Sequence, residues 1–436
     1  MSITSNDMSV AQNSEDSGRI SSEIPGRKMS RDIRNSSAPR WSRRFFTLIL
    51  SFCLGAPAYS ASDETWVGSR YTAPVAFAPQ FNNATVSTVL HLTTGGDRLR
   101  LRFSNLFGRT PLEIGTVYVA RSADHKKVTF KGLPGVTLSA GATAISDPVD
   151  VQTSSGEELV VSVFYPGSIP KEITVHFIDD SVSESSFLVP GNSAHDGTVT
   201  KAAVSMHATY FLMGVDVEGS LARGAIVALG DSITDGTIYR WPALLAKRLS
   251  ENGKNYGVLN AGISGNRLLH GREDGWGEIS GRSALNRFDY DVIRQSGVKY
   301  VILYEGINDL GLGEGERGDG SDPPTAVDME AAVRRLCKLA HERGLKMYVA
   351  TLAPFEGAVI EIPGYYSPEK DKVRVEFNKW IRTTRDIDGY FDFDHALADP
   401  LQPNRINPVF DSGDHLHPND AGERALSEAV NISFFE

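Results

Sequence analysis

Two different spacings of apolar residues divide the chain. From about Glu64 to Glu218 the apolar positions alternate with polar ones. Leu99, Leu101 and Phe103 follow that period, as do Leu159, Val161, Val163 and Tyr165. A period of two puts one side-chain set on one face of a strand. Further strands are expected at Val86–Leu92, Ile114–Ala120, Val128–Phe130, Gly135–Leu138, Ile173–Phe177 and Ala208–Val217. Thr94-Gly95-Gly96-Asp97 reads as a hairpin turn between Val86–Leu92 and Leu99–Phe103. Turn signals recur every 8 to 12 residues or so, and no useful helical stripe interrupts them. This spacing predicts an all-β sandwich, jelly-roll-like in character, over residues 62–218.

From about Gly224 the pattern changes to apolar runs that alternate with helical stripes. Ala225–Leu229, Val258–Leu259, Val298–Tyr304 and Lys346–Thr351 read as buried strands. Helices are expected at Trp241–Leu249, Thr325–Arg343, Val373–Thr384 and Asn419–Val430. The second of these carries apolar Val327, Ala331, Leu336, Leu339 and Ala340, and Gly344 stops it. Strands apolar throughout, alternating with helices, predict a parallel sheet covered on both faces over residues 219–436. A Gly- and Asp-rich loop, Gly311–Pro324, interrupts this half.

The first 40 residues show no apolar period and are rich in Ser; Met29 is an alternative start. Arg40, Arg43 and Arg44 then precede an apolar run from Phe45 to Gly55, followed by Ala56-Pro57-Ala58. A basic flank, a short apolar core and small residues make a secretory signal, so residues 1–58 are read as a disordered leader plus an export signal. The core is well short of the roughly 20 residues a spanning helix needs. The arginine pair also fits a twin-arginine signal. The sequence predicts an exported protein, periplasmic or secreted, with no stable membrane insertion.

The 436 residues carry 44 Lys+Arg and 54 Asp+Glu, a net charge of −10. Removal of residues 1–58 leaves 36 Lys+Arg against 49 Asp+Glu, or −13. That balance argues against a nucleic-acid partner and against adhesion to anionic membrane. Cys53 and Cys337 are the only cysteines. Two cysteines exclude a disulfide framework and a Cys-based zinc site.

Four polar clusters stand at the ends of predicted elements in the second half: Gly230-Asp231-Ser232-Ile233-Thr234-Asp235-Gly236, Asn260-Ala261-Gly262-Ile263-Ser264-Gly265-Asn266, Gly306-Ile307-Asn308-Asp309 and Asp414-His415-Leu416-His417-Pro418. Ligands of open parallel sheets bind outside the carboxyl ends of the strands. A serine becomes a nucleophile beside a base, and a histidine base is held by a carboxylate. Ser232, His417 and Asp414 supply that set. An oxyanion needs donors, and the N–H groups of Ser232 and Gly265 with the Asn308 amide are candidates.

These blocks, in this order, resemble the SGNH (GDSL) hydrolase superfamily, over about residues 224–436. The resemblance implies Ser232 as nucleophile, Gly265 and Asn308 as oxyanion donors, and Asp414 with His417 completing a triad. It implies a flavodoxin-like three-layer α/β/α domain with a parallel sheet and no cofactor or metal. Ser104-Asn105-Leu106-Phe107-Gly108, Phe211 to Val217, Arg240-Trp241-Pro242, Gly265 to Leu269 and Arg287-Phe288-Asp289 resemble its secreted arylesterase or acylhydrolase-like branch, which carries an N-terminal β-sandwich. The segment Asp235 to Arg240 is shorter than in that branch.

Other polar residues near these blocks have plainer readings. Asp231 is read as a turn-stabilising group and Asp309 as a helix cap. Glu305 is expected to pair with a buried arginine such as Arg267. Asp411 competes with Asp414 as the triad acid, but at a longer reach from His417. His415 and His270 are read as surface groups. Trp241, Trp276, Tyr365 and Tyr366 are core or pocket lining. Three functions compete: a carbohydrate deacetylase or other short-acyl esterase, a lipase or arylesterase, and an acyltransferase or an inactive binding module. The implied partner is a small-molecule or polysaccharide ester, and the sequence fixes no oligomeric state.

Overall fold

Antiparallel pairing runs through the first half and parallel pairing through the second. The computed structural model describes residues 65–77, 81–122, 124–177, 186–196, 204–219, 222–236, 239–271, 280–312, 323–358 and 362–436. The export signal, Trp276 and most of the Gly311–Pro324 loop lie outside the described residues. All described residues fall within one unit, Tyr59–Glu436.

The antiparallel half holds a six-stranded sheet, a four-stranded sheet, and smaller sheets of three and two strands. The period-two residues behave as their spacing requires: Leu159, Val161, Val163 and Tyr165 are buried, and so are Leu99, Leu101 and Phe103. The expected hairpin is not formed. Asn82–His91 pairs with Glu158–Ser168 and Ser186–Pro190, whereas Arg98–Ser104 pairs with Leu212–Glu218 and Thr143–Ile145. The turn carries the chain from one sheet to the other, so pairing across sequence replaces local pairing. Two predicted strands are broken. Gly115 and Thr116 separate Leu112–Ile114 from Val117–Arg121. Phe211, at φ +57°, separates Ala208–Tyr210 from Leu212–Glu218.

In the second half, β1 (Ala225–Gly230), β2 (Gly257–Gly262), β3 (Val298–Tyr304), β4 (Lys346–Ala350) and β5 (Gly389–Phe391) form one parallel sheet ordered 2-1-3-4-5. That is the flavodoxin-like order, whose switch point lies between β1 and β3. Seven helices are described: α1 (Trp241–Glu251), α2 (Ala284–Phe288), α3 (Ile307–Leu312), α4 (Ala326–His341), α5 (Pro368–Thr383), α6 (Phe393–Leu397) and α7 (Asp420–Ala429). A turn of π-helix, Asp289–Ile293, continues α2. α1, α6 and α7 pack together, as do α2, α3, α4 and α5, which gives the two helical layers.

Local signals explain the helix boundaries. Thr325 caps α4 through a reciprocal pair with Asp328. Ser367 caps α5 and Pro368 opens it, so this helix starts five residues before the apolar stripe suggested. In α4 the buried face is Met329, Ala332, Val333, Leu336, Cys337 and Ala340. Val327, Ala331 and Leu339, expected to be buried, are exposed. The true stripe repeats at three and four residues, and those three lie off it.

The two halves meet backbone to backbone. A Cβ on Gly257 would lie 1.9 Å from the Gly68 carbonyl oxygen, so only glycine fits there. The Val258 N–H donates to Thr93 Oγ1 at 3.0 Å. The edge strand β2 is therefore covered by the antiparallel half. Beside it, Asp216 accepts from Arg100 Nε at 2.9 Å and from Ser296 Oγ at 2.7 Å. Both carboxylate and guanidinium are buried.

Candidate active site

The turn after β1 carries Ser232. Its backbone is closed by the N–H groups of Thr234 and Asp235, which both donate to the Asp231 carbonyl. The Asp231 carboxylate accepts the Ile233 N–H at 3.0 Å. Asp231 thus holds the turn, in agreement with its sequence reading. Burial pushes its pKa up to about 7, against the hydrogen bond from Ile233 and the attraction of His417.

His417 arrives from the loop before α7. Its Nε2 lies 2.8 Å from Ser232 Oγ, and its Nδ1 lies 2.6 Å from Asp414 Oδ2. Asp414 Oδ1 accepts the N–H groups of Leu416 and His417 and the hydroxyl of Ser412. Partial burial works to raise the Asp414 pKa. The hydrogen bonds from the His417 ring and backbone outweigh it and hold the carboxyl below its usual range. Asp411, the competing acid, is engaged by the His415 ring and by the N–H groups of Gly413 and His415. Each histidine of this loop therefore has its own aspartate. His415 sits at the left-handed φ of +61°, and its side chain is exposed, in line with its sequence reading.

The second and third clusters follow β2 and β3, the two strands that flank β1. Gly265, at φ +75°, follows β2; a Cβ there would lie 2.7 Å from Ser280 Oγ. The backbone N–H groups of Ser232 and Gly265 have no hydrogen-bond partner among the described residues. Asn308 stands in the first turn of α3 and is buried. Its Nδ2 donates to the Asn266 carbonyl at 3.0 Å, and its Oδ1 accepts from Tyr365 OH at 2.8 Å. An amide nitrogen carries two hydrogens, so one remains for a ligand. Burial keeps the Tyr365 phenol well above its usual range, so it stays a donor.

Below the turns lies a buried charged network. Arg287 donates through Nη2 to the Gly230 carbonyl, through Nη1 to the Ala261 carbonyl and Asp291, and through Nε to Asn266 Oδ1. One guanidinium thereby ties the end of β1, the end of β2 and the loop after it. Asp291 also accepts from Tyr71 OH of the antiparallel half at 2.7 Å. Glu305 faces Arg287 at 3.8 Å, not Arg267. Burial raises its pKa well above the ordinary value, and Asp231 adds to the rise. Asp309 is not a cap. It lies inside α3 and accepts the N–H groups of Leu268 and Leu269 at 2.7 and 2.9 Å. Burial raises its pKa to about 6 against those two bonds.

Trp241 is core, fully buried and edge-on to Phe393. His270 is exposed, in line with its sequence reading. Tyr365 and Arg287 are the residues whose part in the site the sequence did not disclose. Arg287 left a faint signal, an arginine amid the apolar positions of a short helix. Tyr365 stood in the sequence only as core or pocket lining, because its bond to Asn308 joins residues 57 apart. At the opposite end of the sheet, Cys337, His341 and Asp388 hold their ligand atoms within 4.8 Å of one another. His341 Nε2 donates to Asp388 at 2.8 Å, and the thiol donates to the Asp386 carbonyl at 3.0 Å. This trio is thus satisfied by the protein's own groups. Burial pushes the Cys337 thiol up to about 11.

A hydroxyl hydrogen-bonded to an imidazole that a carboxylate orients can attack a carbonyl carbon, and adjacent N–H donors can hold the resulting oxyanion. No curated protein matches the chain. Solved structures similar over about half of it include the following three. A GDSL-like lipase from Bacteroides thetaiotaomicron is 18% identical over 48% of this chain and 87% of its own, at a TM-score of 0.35. A catalytic mutant of Axe2, an acetylxylan esterase from Geobacillus stearothermophilus, is 22% identical over 48% and 92%, at 0.36. The acetyl xylan esterase AlAXEase is 20% identical over 47% and 96%, at 0.35. Residues 228–425, which hold all four polar clusters, match the sequence profile of the GDSL-like lipase/acylhydrolase family. Over residues 228–425, on a flavodoxin-like sheet, the chain is thus similar to the GDSL-like lipase/acylhydrolase family, and that match supports a carboxylic ester hydrolase.

Proposed function

We propose that the protein is an exported serine esterase that removes short acyl groups, acetyl above all, from carbohydrate or other small esters. The observation that carries this reading is the Ser232–His417–Asp414 relay, at 2.8 and 2.6 Å. Ser232 Oγ attacks the acyl carbon while His417 Nε2 takes its proton. Asp414 keeps Nδ1 protonated and stabilises the imidazolium. The N–H groups of Ser232 and Gly265 and the Asn308 amide hold the oxyanion. His417 then returns its proton to the leaving alcohol. Water repeats the sequence on the acyl-enzyme, releases the acid and restores Ser232.

A long acyl chain needs an apolar trough. The apolar side chains beside the relay, Ile307, Leu312, Phe355, Tyr365 and Leu416, are instead buried against one another in a cluster of their own. The acidic chain and the basic-apolar-small pattern before Ala58 support export and a soluble substrate. Among the described residues no helix is long and apolar enough to cross a membrane.

A series of 4-nitrophenyl esters of rising chain length, run beside acetylated xylan, tests the reading. Acetate and propionate esters should be turned over fastest, and acetate should be released from the polymer. A preference for long chains would reject the short-acyl reading. Ser232→Ala should abolish turnover, leave the melting temperature unchanged and end covalent labelling by a phosphonofluoridate. Labelling that persists would move the nucleophile elsewhere.

A further inference from the structure

We propose that His176, in the antiparallel half, is a positioning residue for ester hydrolysis: through Asp235 it sets the Ser264–Gly265 turn against the Ser232 turn. The proposal rests on the serine-esterase reading above. His176 lies in strand Ile173–Phe177, between Val75–Phe77 and Ala208–Tyr210, in register with Thr209. It is buried at 6% exposure. Its Nδ1 donates to the Ala73 carbonyl at 2.9 Å, and its Nε2 donates to Asp235 Oδ1 at 3.0 Å. The ring is thus fixed at one end by its own sheet and delivers its other end to the hydrolase half.

Asp235 is where three segments meet. Its N–H closes the nucleophile turn on the Asp231 carbonyl at 2.8 Å. Its Oδ2 accepts the Ser264 N–H at 3.0 Å, one residue before Gly265. Its Oδ1 accepts the hydrogen bond from His176 Nε2. The contact between the turns is tight: a Cβ on Gly262 would lie 2.3 Å from the Asp235 nitrogen. The backbone of Asp235 is thus held between the two turns, while its carboxylate is still free to rotate about the side-chain bonds. A donor held by the antiparallel sheet fixes which oxygen faces Ser264. Asp291 is the other acid that interacts with His176, and it is itself held by Arg287 and Tyr71.

Removing the His176 ring should let the Gly265 N–H drift from the place where the oxyanion forms. A shift of that kind costs rate in the chemical step and spares substrate binding. With 4-nitrophenyl acetate and the full chain, His176→Ala should lower kcat about tenfold, with KM within about twofold and the melting temperature within a few degrees. His176→Gln keeps a donor at similar reach and should recover most of kcat. In an Asp235→Ala background the His176→Ala change should have no further effect on kcat.

Full kcat in His176→Ala, with Ser232→Ala inactive, would overturn this proposal alone. So would a fall in kcat that tracks a lowered melting temperature and is not recovered by Gln. Ser232→Ala with intact turnover would overturn the esterase reading and this proposal with it.

Discussion

The antiparallel and parallel halves place their loops differently, and that decides where the chemistry is. In the parallel sheet β1, β2 and β3 all run the same way, so the loops that follow them gather at one edge. Ser232, Gly265 and Asn308 each follow one of these strands within five residues. Antiparallel strands alternate in direction and send their loops to both ends of a sheet. The first half accordingly supplies no member of the Ser232–His417–Asp414 relay. It supplies single side chains instead: Tyr71 on Asp291, His176 on Asp235 and Thr93 on the edge strand β2. One half builds the site, and the other fixes parts of it in place.

The division is broken most severely by cutting the chain. Residues 219–436 alone should be insoluble, or melt far below the whole protein. The cut bares the backbone edge of β2 and the Leu259 and Val258 face that packs on Gly68 and Thr93. Expression and a melting curve read this directly. A soluble fragment with full activity on small esters would mean that the antiparallel half is a tethered module.

Within the hydrolase half, Asn308→Ala should lower kcat by roughly 10² to 10³, the usual effect of losing one oxyanion donor. Steady-state kinetics decide it, since a change confined to KM would make Asn308 a substrate-binding group only. Tyr365→Phe should act in the same direction and more weakly, on the order of tenfold. It leaves the amide in place and removes the hydroxyl that holds Asn308 Oδ1. If Tyr365→Phe matches wild type while Asn308→Ala does not, the amide is oriented by Asn266 alone.

The smallest effect concerns pH. Burial raises the Asp231 pKa from the ordinary carboxylate range to about 7, against the Ile233 hydrogen bond. A raised carboxyl keeps its proton in the folded state while the unfolded chain releases it. Its contribution therefore lowers stability as pH rises from about 4 to about 7, and is flat on either side. Asp231→Asn removes that contribution and can still accept from Ile233. The melting temperature of the variant should fall less than that of wild type between pH 4 and 7. Parallel curves for the two proteins would place the Asp231 carboxyl at an ordinary pKa.

Much of the fold was legible because it follows local periods. Ile173–Phe177 and Val298–Tyr304 were read to the residue, since strand alternation and an apolar run leave few choices of boundary. Three of the four polar clusters were legible for the same reason, since each stands where an apolar run ends, and the fourth stands before the last helix. Pairing was not. Thr94–Asp97 has the residues of a hairpin turn, yet the two flanking strands enter different sheets. Their partners lie 67 or more residues away in Glu158–Ser168 and Leu212–Glu218, and no local pattern reports that distance.

The sequence by itself determined the alternation of strands and helices in the second half and the order of the serine, glycine, asparagine, aspartate and histidine blocks. It also placed the starts of two helices at Thr325 and Asn419, where the structure has their caps. These depend on neighbours within a few residues, where backbone geometry limits what a side chain can reach. Only the tertiary structure decided that Asp414 serves His417 while Asp411 serves His415, and that Arg287 rather than Arg267 faces Glu305. It also decided that Tyr71, His176 and Tyr365 reach the site. Such contacts join residues far apart in the chain, and they are fixed by burial. A buried donor must find an acceptor wherever packing brings one, and composition and periodicity do not encode which one that is.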